Sequence, residues 1–324
     1  MDPVQFFAAS RLVIVAGKGG VGKTTVTAAL ARAAAGAGLR VLVVEVEGRS
    51  GLAGMFGLPG ELSYTEVSLL RDQGPSGQGE VRARTLTPDE ALSEYLHDHG
   101  LRRLSHRLAR TGALDVVATA APGIQDILVL GKVKQLERSG TADLVLLDAP
   151  AAGHAISFLR SARGLLDAVH VGPVATQAAD VLELLTDPRR CSVLLVTLPE
   201  ETPVNELIET AYSLEDQVGV HLGPVVVNGL YPALGGLDAD PEAAAAAAGV
   251  TLLPGEVDAL RAAAAFRTAR QGLQQAQVER LAERLPLPQV RLPFLFTPDV
   301  GPAEAAELAV AVTREIGALA APAS

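Results

Sequence analysis

Residues 17–25, with the sequence GKGGVGKTT, constrain the fold of this chain more than any other stretch. An apolar, strand-like segment at residues 11–16 precedes them, and an alanine-rich, helix-like segment at residues 25–37 follows. A strand, a glycine loop and a helix in this order are the context of a phosphate-binding loop. Glycines let backbone N–H groups approach phosphate oxygens closely, and the positive end of the helix faces the same place. The sequence therefore predicts a phosphate site beside the first strand.

Two known patterns overlap in this run, and its last residues decide between them. The glycines at positions 17, 19 and 22 fit G-x-G-x-x-G, the fingerprint of dinucleotide-binding loops. Gly22 is followed by Lys23 and Thr24, however, and a dinucleotide loop has no use for that pair. Lys23 can reach terminal phosphates, and the Thr24 hydroxyl can ligate Mg²⁺. The predicted ligands are a nucleoside triphosphate and Mg²⁺, bound by Gly17, Lys18, Gly19, Gly20, Val21, Gly22, Lys23, Thr24 and Thr25.

A second candidate for the metal site stands at the end of a later apolar run. Residues 142–147 have the pattern of a buried strand, and Asp148 follows them directly. In a doubly wound sheet the carboxyl ends of parallel strands line the ligand crevice. Asp148 is therefore predicted to hold a Mg²⁺-bound water near Thr24, which is the Walker B arrangement. The alternative is an ordinary aspartate at a strand end.

Apolar runs of strand length alternate with helical patterns along the chain, which is typical of a parallel sheet flanked by helices. Strands are predicted at residues 11–16, 41–46, 115–119, 142–147, 169–171, 192–197, 224–228 and 290–296, and helices at 25–37, 87–99, 124–138, 176–186, 203–218, 256–285 and 302–319. The sequence shows no internal repeat. We predict one α/β P-loop NTPase domain over residues 1–324, with a doubly wound, mostly parallel sheet. Residues 61–136, where the pattern weakens, are predicted to form a small, mainly helical insertion.

Composition and charge narrow the possible functions. The net charge is −10, with 27 basic and 37 acidic residues, which argues against a nucleic-acid-binding surface. The single cysteine, Cys191, excludes an internal disulfide and a Cys-x-x-Cys metal clip. Residues 1–10 lack the features of a signal peptide, and no run of about 20 residues is both apolar and free of charge. We expect a cytoplasmic protein without a membrane span.

Taken together and in order, these motifs resemble those of the ArsA-type ATPases, which include the arsenical pump-driving ATPase and the ATPase that targets tail-anchored membrane proteins. Residues 17–25 match the P-loop of that family, and residues 148–154, DAPAAGH, are similar to its switch II signature. The strand-like run VVVN ends in Asn228, which looks like the family's adenine-reading asparagine. Residues 292–301 resemble its late adenine loop. The resemblance spans nearly the whole chain.

The resemblance implies ATP as the nucleotide and a dimer, either a homodimer or a heterodimer with a paralogue. Lys18 is the additional lysine of the "deviant" Walker A loop, which in the family crosses the dimer interface to the partner's nucleotide. The alternative for Lys18 is a solvated loop lysine. Glu47 aligns with the switch I aspartate that positions the attacking water. Lys18, Glu47 and Asp148 are therefore the predicted catalytic residues.

The sequence departs from the family pattern at three places. Glu47-Gly48 replaces the usual Asp-Pro, and the extra methylene of Glu47 moves its carboxylate outward. The cysteines of an arsenite site and the zinc-binding Cys-x-x-Cys of the dimer interface are absent, because Cys191 is alone. The two methionines, Met1 and Met55, cannot form a methionine-rich client groove. The chain thus looks like the single-domain ArsA-like proteins of bacteria, whose cargo the family does not specify.

We therefore expect an ATP-hydrolysing dimer whose nucleotide state controls the binding of an unidentified cargo or partner. Ile127, Leu128 and Leu130 could belong to a helix core or to a client-binding face. One alternative function is a non-hydrolysing, ATP-dependent dimerisation switch. Another is a positioning ATPase of the septum-site or partitioning type, but the acidic helix at residues 304–319 argues against membrane docking.

Overall fold

The computed structural model describes residues 1–46, 51–98, 123–150 and 152–319. Their central element is one eight-stranded sheet. The order across the sheet is β3-β4-β2-β5-β1-β6-β7-β8, and neighbouring strands are parallel except for the antiparallel pair β3–β4. The predicted mostly parallel α/β sheet is confirmed. The strands are β1 (Leu12–Gly17), β2 (Arg40–Val46), β3 (Val67–Gln73), β4 (Gly79–Leu86), β5 (Leu144–Asp148), β6 (Cys191–Thr197), β7 (Val225–Leu230) and β8 (Gln289–Pro293).

Helices connect most of the parallel strands. The described helices are α1 (Pro3–Ala8), α2 (Lys23–Gly36), α3 (Leu52–Met55), α4 (Pro88–Asp98), α5 (Ile124–Ser139), α6 (Ala152–Ala168), α7 (Pro173–Thr186), α8 (Glu201–Gln217), α9 (Pro241–Ala248), α10 (Glu256–Arg284) and α11 (Pro302–Ala318). Every helix predicted from the sequence is present, with ends within about three residues of the prediction, as is usual for helix boundaries.

Helices cover both faces of the sheet, as the alternation of side chains on β1 shows. Leu12 and Ile14 point into one apolar core, together with residues of α5, α6, α7 and α8. Val13 and Val15 point into a second core, together with residues of α2 and α11. Successive side chains of a strand point to opposite faces, so an uninterrupted apolar run indicates burial on both. This is the doubly wound arrangement that the sequence predicted.

The prediction of a mainly helical insertion at residues 61–136 is wrong for β3 and β4. These strands form an antiparallel hairpin, and β4 extends the sheet beyond β2. Val81 on β4 is fully buried, whereas Arg82 and Arg84 on the same strand form ion pairs with Glu66. Alternating apolar and charged residues are the pattern of a strand with one apolar face. A search for continuous apolar runs does not find such a strand.

The strand predicted at residues 169–171 is also wrong. These residues form the connection between α6 and α7. Val169 N donates to Leu165 O at 2.8 Å, which prolongs the last turn of α6, and Val171 is 83% exposed. Three apolar residues are too few to distinguish a strand from a helix end. The strand predicted at residues 115–119 lies outside the described residues.

The carboxyl ends of the central strands meet at one edge of the sheet. β1 lies between β5 and β6, where the strand order reverses direction. Val15 is in register with Asp148 on β5, and Gly17 is in register with Val196 on β6. Open α/β sheets bind their ligands at such a switch point. The fold therefore places the glycine loop and Asp148 side by side.

Candidate active site

The loop after β1 has a backbone that requires glycine at two positions. Gly22 has a φ of 87°, and a Cβ there would lie 2.4 Å from Asn228 Nδ2. A Cβ on Gly17 would lie 2.4 Å from the carbonyl oxygen of Val196. Helix α2 begins at Lys23, and no side chain of the described residues caps it, so its first N–H groups are available to a ligand. The loop thus has the backbone that a phosphate site needs.

The two residues predicted to hold Mg²⁺ meet at this loop. Thr24 Oγ1 donates a hydrogen bond of 2.6 Å to Asp148 Oδ2. Asp148 is 6% exposed, and its other oxygen, Oδ1, is buried without a hydrogen-bond partner in the described part of the chain. A buried carboxylate oxygen without a donor is costly, and a cation or its bound water would satisfy it. Because Mg²⁺ takes oxygen ligands of this kind, the residues present fit the ion.

Burial shifts the pKa values of both charged groups at the loop. Burial raises the pKa of Asp148 to about 6, although its hydrogen bond with Thr24 and the charge of Lys23 oppose the change. Burial also lowers the pKa of Lys23, and the charge of Asp148 opposes that shift. Each group has therefore lost more hydration than its opposite charge replaces. A triphosphate beside Lys23 and a divalent cation beside Asp148 would favour the charged forms.

Asn228, predicted to read the adenine base, lies near the end of β7 and against the glycine loop. Its Nδ2 donates a hydrogen bond of 3.0 Å to Val21 O. After β7 and β8, Tyr231, Phe294 and Phe296 pack together with ring centroids 4.9 to 5.3 Å apart. Asn228 thus fixes the loop to β7, a contact that the sequence did not predict. Its contact with a base stays a prediction.

Lys18, predicted to reach the nucleotide of a partner subunit, forms an ion pair within its own chain. Its Nζ donates to Glu206 on α8, and both side chains are partly exposed. Glu206 Oε2 is buried without a hydrogen-bond partner among the described residues. Lys23 Nζ donates to the backbone oxygen of Lys18 at 3.2 Å. The reach of Lys18 across a dimer stays a prediction, and Glu206 is a partner that no local pattern in the sequence indicated.

The sequence of the first half of the chain matches a known family. Residues 10–171, which contain the loop and Asp148, match the profile described as anion-transporting ATPase, or ArsA ATPase. This chain belongs to the ArsA ATPase family. It is 36% identical over 266 residues to the ATPase BagA of Mycobacterium tuberculosis, an alignment that covers 80% of this chain and 74% of BagA.

Other members of the ArsA family are more distant and longer. The putative arsenical pump-driving ATPase of Halobacterium salinarum is 31% identical over 243 residues, which cover 69% of this chain and 36% of that protein. An arsenical pump-driving ATPase of Escherichia coli is 30% identical over 220 residues, with 67% and 34% covered. This chain therefore aligns with about a third of each arsenical pump-driving ATPase. Among its described helices, none is long and apolar enough to cross a membrane.

The two switch segments that the ArsA resemblance predicts as parts of the site are only partly covered by the described residues. Glu47, predicted to position water, lies outside them. Of the switch II segment, Asp148 is placed as stated above, while His154 lies within α6 and its side chain is not described. Glu45, two residues before Glu47, is 2% exposed, and Thr85 donates to its carboxylate at 3.0 Å. Glu45 is in register with Asp148, and its charge contributes to the raised pKa of that residue.

Replacing Gly22 with alanine tests the loop geometry. The new Cβ would clash with Asn228 at a positive φ, so we expect a loss of about 1–3 kcal/mol in unfolding free energy and much weaker nucleotide binding. Denaturant unfolding and titration with a fluorescent ATP analogue measure the two effects. Gly36→Ala, where a Cβ meets nothing within 4 Å, is the matched control and should be neutral or slightly stabilising. Equal behaviour of the two variants would contradict the assigned geometry.

Proposed function

We propose that this protein binds Mg²⁺-ATP at residues 17–25 and hydrolyses it as a dimer. One observation carries the proposal: Thr24 and Asp148, 124 positions apart, are in hydrogen-bond contact beside the glycine loop, and Asp148 keeps a buried oxygen without a donor. A structural aspartate at a strand end would be expected to have both oxygens satisfied. A metal site explains why one of them is left open.

The residues at the loop have separate tasks in this proposal. The N–H groups of the loop and of the first turn of α2 bind phosphate oxygens, and Lys23 places its ammonium group beside them. Thr24 would ligate Mg²⁺, and Asp148 would hold a water bound to it. When bound, Mg²⁺ would supply positive charge beside the phosphates. Phosphoryl transfer depends mainly on positioning and charge stabilisation, and these residues supply both.

In this proposal, hydrolysis requires a dimer because Lys18 of one subunit acts on the nucleotide of the other. In the free subunit Lys18 is held by Glu206. In the dimer Lys18 leaves Glu206 and neutralises charge on the phosphates bound by the second subunit. Glu47 orients the attacking water. Hydrolysis then depends on association, so the nucleotide state controls which surfaces a cargo or partner protein meets.

Arsenite is not the proposed cargo of this protein. A thiolate site for a metalloid needs several sulfur atoms, and the chain has one cysteine. That cysteine, Cys191, is fully buried on β6, and burial raises the pKa of its thiol far above the ordinary range. We therefore do not propose for this chain the arsenical function that the names of its more distant relatives state.

Phosphate release measured at increasing protein concentration tests the proposal. Turnover per chain is expected to rise with concentration and to fall at least about 100-fold in Lys18→Ala, because a charge-stabilising group is lost. Glu206→Gln frees Lys18 and should lower the protein concentration needed for half-maximal turnover several-fold. Glu209→Gln, an exposed neighbour on α8, is the control and should leave it unchanged.

Two results would contradict parts of the proposal. Turnover that is independent of concentration and insensitive to Lys18→Ala removes the dimer from the mechanism. ATP binding without any phosphate release, in single-turnover as well as steady-state assays, removes hydrolysis and leaves a nucleotide-dependent switch.

A further inference from the structure

The side chain of Gln274 is a buried polar group on a helix that is otherwise mostly exposed. The buried residues of α10 are Gln274, Val278 and Leu281, and Gln274 is 3% exposed. A buried amide is expected to have hydrogen-bond partners, and those of Gln274 are backbone atoms at the end of β7. Its Nε2 donates to Gly229 O at 3.1 Å, and its Oε1 accepts from Tyr231 N at 2.8 Å. The amide therefore holds the chain from both sides of the residue between them.

These two hydrogen bonds form where β7 loses one of its neighbouring strands. The pairing of β6 with β7 ends at Thr197 and Val227, whereas the pairing of β7 with β8 continues to Leu230 and Pro293. In a regular strand, the carbonyl of one residue and the N–H two positions later point to the same neighbouring strand. Gln274 bonds that pair of groups around Leu230. Its side chain thus takes the place of a strand beside the end of β7.

The backbone of β7 is irregular at this point. Gly229 has a φ of 78°, and the register with β8 shifts between Val227 and Leu230. Irregularities of this kind change the direction of a side chain and are frequent beside functional sites. The residue affected here is Asn228, which lies just before Gly229. The direction of its side chain therefore depends on the turn that Gln274 holds.

Asn228 connects this turn to the glycine loop. Its Nδ2 donates to Val21 O at 3.0 Å. The two segments are so close that a Cβ on Gly22 would lie 2.4 Å from the same nitrogen. A shift of Asn228 would therefore either break the hydrogen bond or move the loop, because closely packed groups transmit displacements. Gln274 on α10 is thus linked to the loop by a continuous series of short contacts.

We propose that Gln274 is a positioning residue of the nucleotide site, which acts through Asn228 on the glycine loop. The inference rests on the proposed function for the identity of the ligand. Gln274 fixes Asn228, and Asn228 fixes the loop whose N–H groups bind phosphate. Donors that are already in place bind a ligand more tightly than donors that must first be ordered. Loss of the Gln274 amide should therefore weaken nucleotide binding.

The alternative is that Gln274 only attaches α10 to the sheet. Gln289 on β8 provides a comparison, because its Nε2 donates to Val278 O on the same helix at 3.2 Å. Gln289 is in register with Val225, at the start of β7 rather than at its end. Loss of either amide removes a hydrogen bond to α10 or from it, but only loss of Gln274 releases the turn beside Asn228. The two glutamines thus separate attachment of the helix from positioning of the loop.

Gln274→Met tests the inference, because methionine has a similar length and can form neither hydrogen bond. We expect its dissociation constant for a fluorescent, non-hydrolysable ATP analogue to rise about tenfold, since two hydrogen bonds that hold the turn are lost. Gln289→Met is the control and should bind the analogue as the unmodified protein does. Gln274→Glu keeps the acceptor for Tyr231 N but not the donor to Gly229 O, so it should also weaken binding and replaces Gln274→Met if that variant does not fold. Equal affinities in the Gln274 and Gln289 variants would overturn the proposal.

A double-mutant cycle with Asn228→Ala distinguishes positioning from a purely structural role. If Gln274 acts through Asn228, adding Gln274→Met to Asn228→Ala should raise the dissociation constant by less than about twofold. Independent contributions multiply instead. An effect of Gln274→Met that is as large in the Asn228→Ala background as in the unmodified protein would overturn the proposal.

Amide hydrogen exchange without nucleotide tests the inference independently of the proposed function. We expect Gln274→Met to accelerate exchange several-fold in the peptide that contains the glycine loop and the first turns of α2, and Gln289→Met to leave it unchanged. Unchanged exchange of this peptide in Gln274→Met would overturn the inference, whatever the nucleotide assays show. If exchange follows the prediction but the unmodified protein neither binds nor hydrolyses ATP, only the proposed function is overturned.

Discussion

Replacing Lys23 with alanine is expected to reduce ATP turnover at least about 100-fold, because the variant lacks the ammonium group nearest the proposed phosphate site. Lys23 begins α2, and its Nζ donates to Lys18 O at 3.2 Å, so the side chain bends back over the glycine loop. Burial lowers the pKa of Lys23, which means that its charge is poorly solvated without a ligand. A bound triphosphate would supply the missing counter-charge. The loss should therefore appear in nucleotide affinity as well as in turnover.

Steady-state phosphate release and titration with a fluorescent ATP analogue measure both losses. Arg138→Ala removes one positive charge from an exposed position at the end of α5 and is the matched control. It should behave like the unmodified protein. Circular dichroism shows whether Lys23→Ala remains folded, which we expect because Lys23 is only partly buried. Unchanged turnover in a folded Lys23→Ala variant would remove the loop from the mechanism.

The central strands and the contact between Thr24 and Asp148 could be predicted because both depend on patterns that are local in sequence. A parallel strand covered on both faces reads as a continuous apolar run, and β1, β2 and β5 are such runs. The carboxyl ends of parallel strands converge, so the order of the glycine loop and Asp148 along the chain was enough to place Thr24 beside Asp148. The hydrogen bond of 2.6 Å between them agrees with that reasoning.

The features that were missed depend on distant contacts or on a different pattern. Glu206 pairs with Lys18 across 188 positions, and no spacing rule connects a loop lysine with one of several glutamates on α8. Asn228 was identified as a site residue, but its bond to Val21 O follows from the packing of β7 against the loop. β4 was missed because charged and apolar residues alternate along it instead of forming a continuous apolar run. The Gly-rich turn before it is a signal of a hairpin that could have identified this strand.

Asp148→Asn should stabilise the ligand-free protein above pH 6 and abolish its response to Mg²⁺-ATP. Burial raises the pKa of Asp148 from 3.8 to about 6, so the folded chain binds this proton more tightly than the unfolded chain. The free energy of unfolding therefore falls as the pH rises from about 4 to about 6, and it stays lower above that range. Two pKa units correspond to about 3 kcal/mol. Asparagine does not ionise, can still accept the hydrogen bond from Thr24, and removes this loss.

Denaturant unfolding in EDTA at pH 5, 6 and 7.5 should show that the free energy of unfolding of Asp148→Asn exceeds that of the unmodified protein by an amount that grows with pH. Asp143→Asn is a control of opposite sign, because the hydrogen bond with Arg40 lowers the pKa of Asp143. The Asp143 carboxylate stabilises the fold above its unfolded pKa, so its removal should weaken the protein at pH 7.5. With Mg²⁺-ATP added, the unmodified protein should become more stable than Asp148→Asn, because it gains a cation at Asp148 and the asparagine variant does not. An asparagine variant that is less stable at pH 7.5 in EDTA would show that Asp148 serves the fold rather than the ion.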